Sequence, residues 1–487
     1  MNPIKTTKMT NYRWVVCMML FFATTVNYMD RQVLSLTYPG DGGIQQEFDW
    51  TDDNYGTITA IFSIVYAFCM LFAGKFVDWM DSRKGYLWAI FIWSTGAVLH
   101  AFCGIATSGI VTGEWLVGFE GAKEALRAFT GPALTISTIS VWLFLAARCV
   151  LALGEAGNFP AAIKVTAEYF PKKDRAYATA IFNSGASVGA LVAPFTIPVL
   201  AKYFGWEMAF VVIGALGYIW MGFWVVLYKK PHQNPKVNQA ELTYINQDAE
   251  TDSDPKDAND NGPRISFGKC FTYRQTWAFI VGKFMTDGVW WFFLFWTPAY
   301  LKAQFNINPT DIEGMTLIFV LYLITMLSIL GGKLPNYFIN RGMNPYAGRM
   351  RAMLIFAFFP LLGLFAQPLG GMFSTPWFPI VLIGILGAAH QSWSANIFST
   401  VGDMFPKSTI ATVTGIGGMA GGVGSFFINK GAGALFTYAD ATNMSALGFQ
   451  GKPAGYMIIF CICAIAYLIG WVIMKVLVPK YKPVIAE

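Results

Sequence analysis

Apolar runs of about 20 residues recur along this 487-residue chain and constrain its fold more than any other feature. A helix needs about that length to cross the hydrocarbon core of a bilayer, where only helices and closed barrels satisfy every backbone polar group. Charged residues make up 13% of the chain, against about 25% in ordinary soluble domains. We therefore predict an all-α polytopic protein embedded in a lipid bilayer.

Twelve runs are long enough to span a bilayer. They are expected near residues 14–37, 55–77, 86–106, 139–165, 176–201, 206–228, 276–301, 314–338, 347–367, 376–402, 409–436 and 454–477. The polar stretch 229–275 separates an N-terminal six-helix bundle, residues 1–228, from a C-terminal six-helix bundle, residues 276–487. Its centre is hydrophilic and is expected to be a flexible linker.

Lys and Arg residues concentrate on the connections that follow even-numbered spans and on both ends of the chain. This bias places both termini in the cytoplasm. On the outer side, residues 107–138 form a long insertion in which Glu120, Lys123, Glu124 and Arg127 have the i,i+3 and i,i+4 spacing of a short amphipathic helix. A tolerated surface insertion is the simpler alternative.

Several other function classes lack support in the sequence. The seven cysteines form no C-x-x-C pattern, and the three histidines are widely separated. The glycine clusters lie in apolar spans, where small residues allow helices to approach, and not in phosphate-binding loops. We expect no metal, no nucleotide or other cofactor and no nucleic-acid partner. A membrane-embedded enzyme is the rival class, but no His–Asp, Ser–His or metal constellation supports it.

Six ionisable residues lie deep within the predicted spans: Asp30, Arg31, Arg148, Glu155, Lys283 and Asp287. Intramembrane charges cost at least a few kcal/mol each, and they normally pair or face a wet cavity. Lys283 and Asp287 are four residues apart and can pair directly. Arg148 and Glu155 lie two turns apart on one helix face.

Three cations from spans 1, 4 and 7 can converge on one cavity: Arg31, Arg148 and Lys283. Such a cavity would attract an anion, and the planar fork of arginine suits a carboxylate. If the anion occupies the arginine, a nearby acid loses its compensating charge and protonates more readily, so that anion and proton favour each other's binding. Salt bridges that merely hold helices together are the alternative for both pairs.

Four motifs in the first half carry a family resemblance. G-K-F-V-D-W-M-D-S-R-K, with Gly74, Asp78 and Arg83, resembles the gating loop G-x-x-x-D-R-x-G-R-K of the major facilitator superfamily, although Trp79 and Asp81 depart from it. Together N-Y-M-D-R, R-C-V-L-A-L-G-E-A-G-N-F-P and E-Y-F-P-K-K-D-R-A look like the anion:cation symporter family. In the second half, K-F-M-T-D-G-V-W-W and A-A-H-Q-S-W-S-A-N are most similar to bacterial hexuronate transporters.

This resemblance implies roles for individual residues. Asp30 and Glu155 match protonation sites of the family, Arg31 matches the arginine that binds the substrate carboxylate, and Tyr66 matches a substrate-binding tyrosine. Arg148 is expected to gate or pair, and Asp287 is a further candidate for proton coupling. Further candidates for substrate binding are Lys283, Asn183, Trp290, His390, Gln391 and Asn396, for which interhelical packing is the alternative. Ala186 and Ser425 replace a glutamine and an asparagine of some relatives, which weighs against an aldonate-specific pocket.

The resemblance therefore predicts a proton-coupled symporter that imports a hexuronate, glucuronate or galacturonate, into a bacterium across its inner membrane. A symporter of another organic anion, such as an aldonate or aldarate, is the alternative, and a sugar-acid sensor that moves no cargo is a third reading. Protons are the only coupling ion expected, the substrate is a small carboxylate, and the protein is expected to be a monomer.

Overall fold

The computed structural model describes residues 8–115, 117–247, 265–331 and 333–484, in which helices dominate. The linker centre, residues 248–264, lies outside this description. The helices of the first half are α1 (Tyr12–Thr37), α2 (Ile44–Glu47), α3 (Asp52–Met80), α4 (Ser82–Thr112), α5 (Gly118–Ala128), α6 (Ala133–Glu155), α7 (Asn158–Tyr169), α8 (Lys172–Phe204) and α9 (Trp206–Leu227). The linker contributes a 3-10 turn, Pro231–Gln233, and α10 (Gln239–Ile245).

The second half begins with a short helix and continues with longer ones. These are α11 (Phe267–Cys270), α12 (Arg274–Phe305), α13 (Ile312–Thr325), α14 (Ser328–Gly331), α15 (Leu334–Ile339), α16 (Pro345–Phe358), a 3-10 turn (Phe359–Leu362), α17 (Gly363–Met372), α18 (Trp377–Met404), α19 (Lys407–Thr442) and α20 (Lys452–Leu477). A two-residue antiparallel hairpin, β1 (Ser445–Ala446) and β2 (Phe449–Gln450), connects α19 to α20.

Ten helical segments in the described ranges are long and apolar enough to cross a membrane. α1 and α19 are not among the ten, because polar residues around Asp30 and the many glycines, serines and threonines of α19 lower their hydropathy. With 26 and 36 residues, they are about 39 and 54 Å long at the usual helical rise. The polytopic all-helical fold is confirmed, while the count of twelve spans stays a prediction.

Each half packs mainly on itself. In the first half α1 packs against α8, and α4 packs against both α6 and α9. In the second half α12 packs against α19 and α20, and α13 packs against α18. The halves meet chiefly where α3 runs along α19 and where α8 contacts α13.

The first and the last described residues and the described parts of the linker lie at one end of the molecule, which we call the terminal face. There the Glu241 carboxylate of α10 accepts hydrogen bonds from the backbone N–H groups of Tyr12 (2.9 Å) and Arg13 (3.0 Å). The backbone N–H of Val484 donates to the carbonyl of Met404 at 2.7 Å. The opposite face carries α2, α5 and the hairpin.

Two predicted segments can be compared directly with the structure. The short helix predicted within the 107–138 insertion is confirmed as α5. The span predicted near 139–165 is confirmed as one apolar segment, Leu134–Tyr169, and the helix within it is interrupted between Glu155, the end of α6, and Asn158, the start of α7. The sequence G-E-A-G at this point is a poor helix former, which explains the interruption.

Candidate functional site

A cavity of about 1980 Å³ lies between the two halves. Its lining extends from Arg31 and Trp291, deep between the halves, to Lys75 at the end of α3 and Phe271 just after α11. Because these last two residues lie at the terminal face, the cavity opens there. It is larger than the usual 300–1,000 Å³ of a small-molecule pocket, as expected for an open vestibule.

Contacts between the halves close the opposite face. Lys430 pairs with Asp53 at 2.5 Å, Lys452 pairs with Asp52 at 2.7 Å, and the Tyr55 hydroxyl donates to the carbonyl of Phe295 at 2.7 Å. These bonds all join α3 to helices of the second half. The access path between the halves is thus closed on one side and open on the other.

Close packing of α3 against α19 accompanies these bonds. A Cβ atom at Gly433 would lie only 2.5 Å from the carbonyl oxygen of Asp52, so a side chain there would push the two helices apart. Ser425, at the position of a family asparagine, bonds Ser63 of α3 at 2.8 Å. Ser425 and Gly433 of α19 therefore contact α3 of the other half because the backbones of the two helices lie close together.

Arg31 forms the most distinctive ion pair of the cavity wall. Its Nε donates to Glu155 Oε2 at 2.7 Å, and both side chains are buried. The guanidinium carbon lies 4.5 Å from the ring centre of Tyr66, 5.2 Å from that of Tyr28 and 5.6 Å from that of Trp291. Arg31 Nη2 has no hydrogen-bond partner within the described part of the chain, so the guanidinium keeps donor capacity for a ligand.

Glu155 is placed by the close contact of α6 with α4. A Cβ atom at Gly154 would lie 2.2 Å from the backbone nitrogen of Trp93, which only a glycine can avoid. Glu155 is the last residue of α6, so its carboxylate sits where the helix is interrupted. This packing brings the acid within reach of α1.

Asp30 and Arg148 lie behind the cavity wall. Neither Asp30 carboxylate oxygen has a hydrogen-bond partner in the described ranges, and the residue is 1% exposed. Arg148 is fully buried, with its guanidinium 4.7 Å from the ring centre of Phe62 and Nη2 3.4 Å from the carbonyl of Arg31. The expectation that three cations face the cavity is therefore corrected: Arg31 and Lys283 do, whereas Phe62 and α1 cover Arg148.

Lys283 and Asp287 pair directly, as their spacing predicts. Lys283 Nζ lies 2.7 Å from Asp287 Oδ2 and 4.3 Å from the ring centre of Phe398. Both residues line the cavity from α12. Each half thus contributes a cation–carboxylate pair: Lys283 and Asp287 both line the cavity, whereas of the other pair Arg31 lines it and Glu155 is buried behind it.

Aromatic and amide side chains line the cavity between these pairs. The rings of Trp290 and His390 stack at 5.5 Å with an angle of 6° between their planes, and His390 Nδ1 contacts the Tyr467 hydroxyl at 2.7 Å. Asn183, Tyr66 and Gln391 also face the cavity. Asn396 does not line it, and its amide nitrogen instead donates to the carbonyl of Ser392 at 2.8 Å.

The predicted gating loop lies at the mouth of the cavity. Gly74 lines the mouth, and Arg83 Nη2 donates to the carbonyl of Val225 at 2.8 Å. The side chain of Asp78 lies outside the described residues. Asp81 pairs with Lys230 at 3.0 Å, which ties the loop to the start of the linker.

Tyr28 of the site and two lysines of the opposite face were not among the predicted residues. Tyr28 lies three residues before Arg31, and this i,i+3 spacing is the signal that could have identified it. The lysines that close the opposite face, Lys430 and Lys452, lack such a local signal because their partners are almost 400 residues away in sequence.

Comparisons with known proteins agree with this architecture. The model of the Major Facilitator Superfamily matches residues 20–429. The hexuronate transporter of Escherichia coli (strain K12) is 26% identical over 441 residues, which cover 90% of each protein. The probable galactarate/D-glucarate transporter GarP of the same strain is 25% identical over 455 residues, covering 91% of this chain and 92% of the relative.

A solved structure shares the fold at low sequence identity. A bacterial homolog of the human lysosomal transporter Spinster, in an inward-facing and occupied conformation, superposes with a TM-score of 0.65 and 17% identity over 97% of both chains. Since the family model covers most of the chain, the function class follows from the family. The chain belongs to the Major Facilitator Superfamily and is a multi-pass inner-membrane transporter, not an enzyme.

Proposed function

We propose that this chain is a proton-coupled symporter that imports a hexuronate, such as glucuronate or galacturonate, by alternating access. The observation that carries the proposal is the buried Arg31–Glu155 pair, 2.7 Å apart, in which Arg31 lines the cavity and Glu155 lies behind it. With twelve spans in two bundles and both termini in the cytoplasm, the cavity would open to the cytoplasm. One chain contains the whole cavity, in keeping with a monomer.

The pair links anion binding to proton binding. When a substrate carboxylate takes over the Arg31 guanidinium, Glu155 is left as a buried charge without its partner. Breaking a buried pair in this way costs about 3–5 kcal/mol unless the remaining charge is neutralised. A proton on Glu155 removes that cost, so substrate and proton favour each other.

Asp30 is the second acid of this coupling. Its carboxyl oxygens have no hydrogen-bond partner among the residues described, and burying a charge in that condition costs more than burying the neutral acid. Arg148 lies next to the Arg31 backbone and acts on both Asp30 and Glu155 through its charge. We assign Asp30 to proton binding, and we assign to Arg148 the electrostatic stabilisation of the ionised forms of Asp30 and Glu155.

The rest of the substrate would contact the aromatic and amide groups. Ring faces of Tyr66, Trp290 and His390 suit the C–H surface of a pyranose, and amides suit its hydroxyls. Asn183 and Gln391 supply such amides from opposite halves. A sugar acid bound to both halves at once would then be released when the two halves move apart.

A sugar diacid is the second candidate, favoured by the Lys283–Asp287 pair. This second cation faces the same cavity from the other half, so a substrate with a carboxylate at each end could engage Arg31 and Lys283 together. An aldarate has this chemistry, whereas a hexuronate has one carboxylate. Asp287 would then bind a second proton.

Uptake by purified protein in proteoliposomes tests both candidates. An outside-acid pH gradient should drive accumulation of labelled galacturonate, with glucuronate as competitor. Lys283→Met combined with Asp287→Asn, which leaves no unpaired charge, should leave hexuronate uptake close to that of the parent if only Arg31 binds a carboxylate. A loss of tenfold or more that is confined to galactarate would favour the diacid, and cargo recovered in a chemically altered form would contradict transport.

A further inference from the structure

Helix α5 contributes no residue to the cavity, yet it is firmly packed on the opposite face. Ala122 and Leu126, at 1% and 4% exposure, turn inward, while Glu124 on the other side is exposed. The side chain of Lys123 is only 12% exposed although it ends in a charge. A surface insertion without a function would not need to bury a lysine.

Lys123 reaches into a pocket that contains two carboxylates. Its Nζ lies 3.1 Å from Glu207 Oε1, in the first turn of α9, and 3.1 Å from Glu120 Oε1. Glu47, at the end of α2, accepts a hydrogen bond from Trp206 Nε1 at 2.6 Å through Oε2. Glu47 Oε1 and Glu207 Oε2 are enclosed, and neither has a hydrogen-bond partner in the described part of the chain.

Two enclosed carboxylates share one close cation in this pocket. Lys123 is the close cation for the enclosed carboxylates of Glu47 and Glu207, while Arg127 acts on Glu47 from the last turn of α5. The side chain of Glu120 is 82% exposed, so water solvates it. On α4 the facing residue is Gly104, where a Cβ atom would lie 3.5 Å from Glu47 Oε1, and it brings no charge.

We propose that Glu47, Glu207 and Lys123 form a proton-binding site on the opposite face, outside the cavity, and that the bound proton keeps α5 docked. Two like charges in one enclosed site cannot both ionise cheaply. A proton on Glu47 Oε1 removes the repulsion between the two carboxylates, so that Lys123 pairs with Glu207 alone. It also converts an acceptor without a partner into a hydroxyl. The ligand of this site is therefore a proton from the medium on the opposite face.

The pH range follows from the state of Glu47. Burial raises the pKa of the Glu47 carboxyl to about 7, helped by the charge of Glu207 and opposed by Trp206 and Lys123. Because this pKa exceeds the ordinary value, the docked form binds the proton more tightly than an undocked form. Docking is thus fully stabilised below the ordinary pKa and loses that stabilisation as the pH rises through about 7.

Thiol accessibility in the full-length protein tests this site. A cysteine in place of Ala122 lies on the buried side of α5, and a cysteine in place of Glu124 lies on its exposed side. Both cysteines are labelled with a membrane-impermeant maleimide, and the rate at position 122 is divided by the rate at position 124. This ratio cancels the pH dependence of thiol chemistry itself. We expect this ratio to rise above about pH 7, at most roughly tenfold per pH unit, and to stay flat when Glu47→Gln is added.

Asp49→Asn provides the matched control, since it removes an exposed acid of the same connection and should keep the pH dependence. Hydrogen exchange of residues 118–128 in the unmodified chain gives the same readout if the Ala122→Cys variant folds poorly. A labelling ratio that does not change with pH, or one that changes equally in the Glu47→Gln background, would overturn the proposal.

Discussion

Asp30 and Arg31 are adjacent in sequence but occupy different environments. Successive residues of a helix point about 100° apart, so neighbours do not face each other. Arg31 turns to the cavity and pairs with Glu155, while Asp30 is buried away from the cavity and lies within reach of the charge of Arg148. The ion pair made at N-Y-M-D-R therefore joins two helices, through Arg31 of α1 and Glu155 of α6, and does not join the two neighbouring residues.

Arg31 is predicted to provide most of the binding energy for the substrate carboxylate. Arg31→Ala should weaken binding by about 2–5 kcal/mol, at least roughly 30-fold in affinity, because it removes a buried charge-assisted hydrogen bond. Equilibrium binding of labelled hexuronate to purified protein measures this. Arg31→Lys keeps the charge without the planar fork, so its affinity for the hexuronate should lie between that of the parent and that of Arg31→Ala. An unchanged affinity in Arg31→Ala would remove Arg31 from the site.

At the residue scale, the sequence predicts which residue types are present for binding better than it predicts which way their side chains face. Periodicity correctly groups Lys283 and Asp287, whose contact is local. It cannot tell which way a helix turns within its bundle, and for this reason Arg148 and Asn396 were expected in the cavity but lie behind its wall.

The elements show the same division between local and long-range information. Charge spacing within eight residues predicts α5, because helix formation there depends on neighbours. The break between α6 and α7 is not visible in an average over 20 residues, and the docking of α10 on α1 depends on contacts about 230 residues apart.

α10 is predicted to stabilise the start of α1. Burial alone would raise the pKa of Glu241, but hydrogen bonds from the Arg13 and Tyr12 backbone and from Thr10 lower it overall. The lowered pKa means that this stabilisation is present above the ordinary pKa and lost as the pH falls through the folded value. Glu241→Gln should cost about 1–3 kcal/mol, seen as a lower melting temperature and faster trypsin cleavage at Lys236.

The exposed Thr243 of the same helix offers a control, since its hydroxyl bonds only within α10 in the described structure. Thr243→Ala should leave both measurements close to those of the parent. Equal effects of the two substitutions would show that α10 does not hold α1 through Glu241.

The ion pairs of the opposite face are predicted to favour the conformation seen here in graded order. Lys452 pairs with the buried Asp52, Lys430 with the half-exposed Asp53, and Lys302 lies 3.6 Å from the exposed Asp41. Exposed pairs contribute about 0–1 kcal/mol, and burial strengthens the effect. Spin-label distances between positions 49 and 447 should therefore lengthen most in Lys452→Met, less in Lys430→Met and least in Lys302→Met.

Lys302→Met serves as the internal control of that series, because it removes a lysine from the same face. If all three variants show the distance distribution of the parent, these pairs do not hold the opposite face closed.

For the molecule as a whole, hydropathy is enough to predict a helical membrane protein, and ten apolar helical segments in the part of the chain that the structure describes confirm it. It does not reveal which end is open, because that depends on how α3 meets α19 across the two halves. The arrangement seen here, a cavity open at the terminal face and bonds closing the other, is one conformation of a transporter. Its buried Arg31–Glu155 contact, together with the buried Asp30 and Arg148, is the basis for linking cargo to protons.

Gradient-driven uptake in Glu155→Gln tests that link most directly. In proteoliposomes with an outside-acid gradient, the parent protein should accumulate labelled hexuronate, and accumulation should vanish when the gradient is collapsed. Glu155→Gln, which keeps the shape of the side chain but cannot take the proton, should fail to accumulate cargo while still exchanging internal for external substrate. Full accumulation by the variant, or equal uptake by the parent without a gradient, would contradict the account.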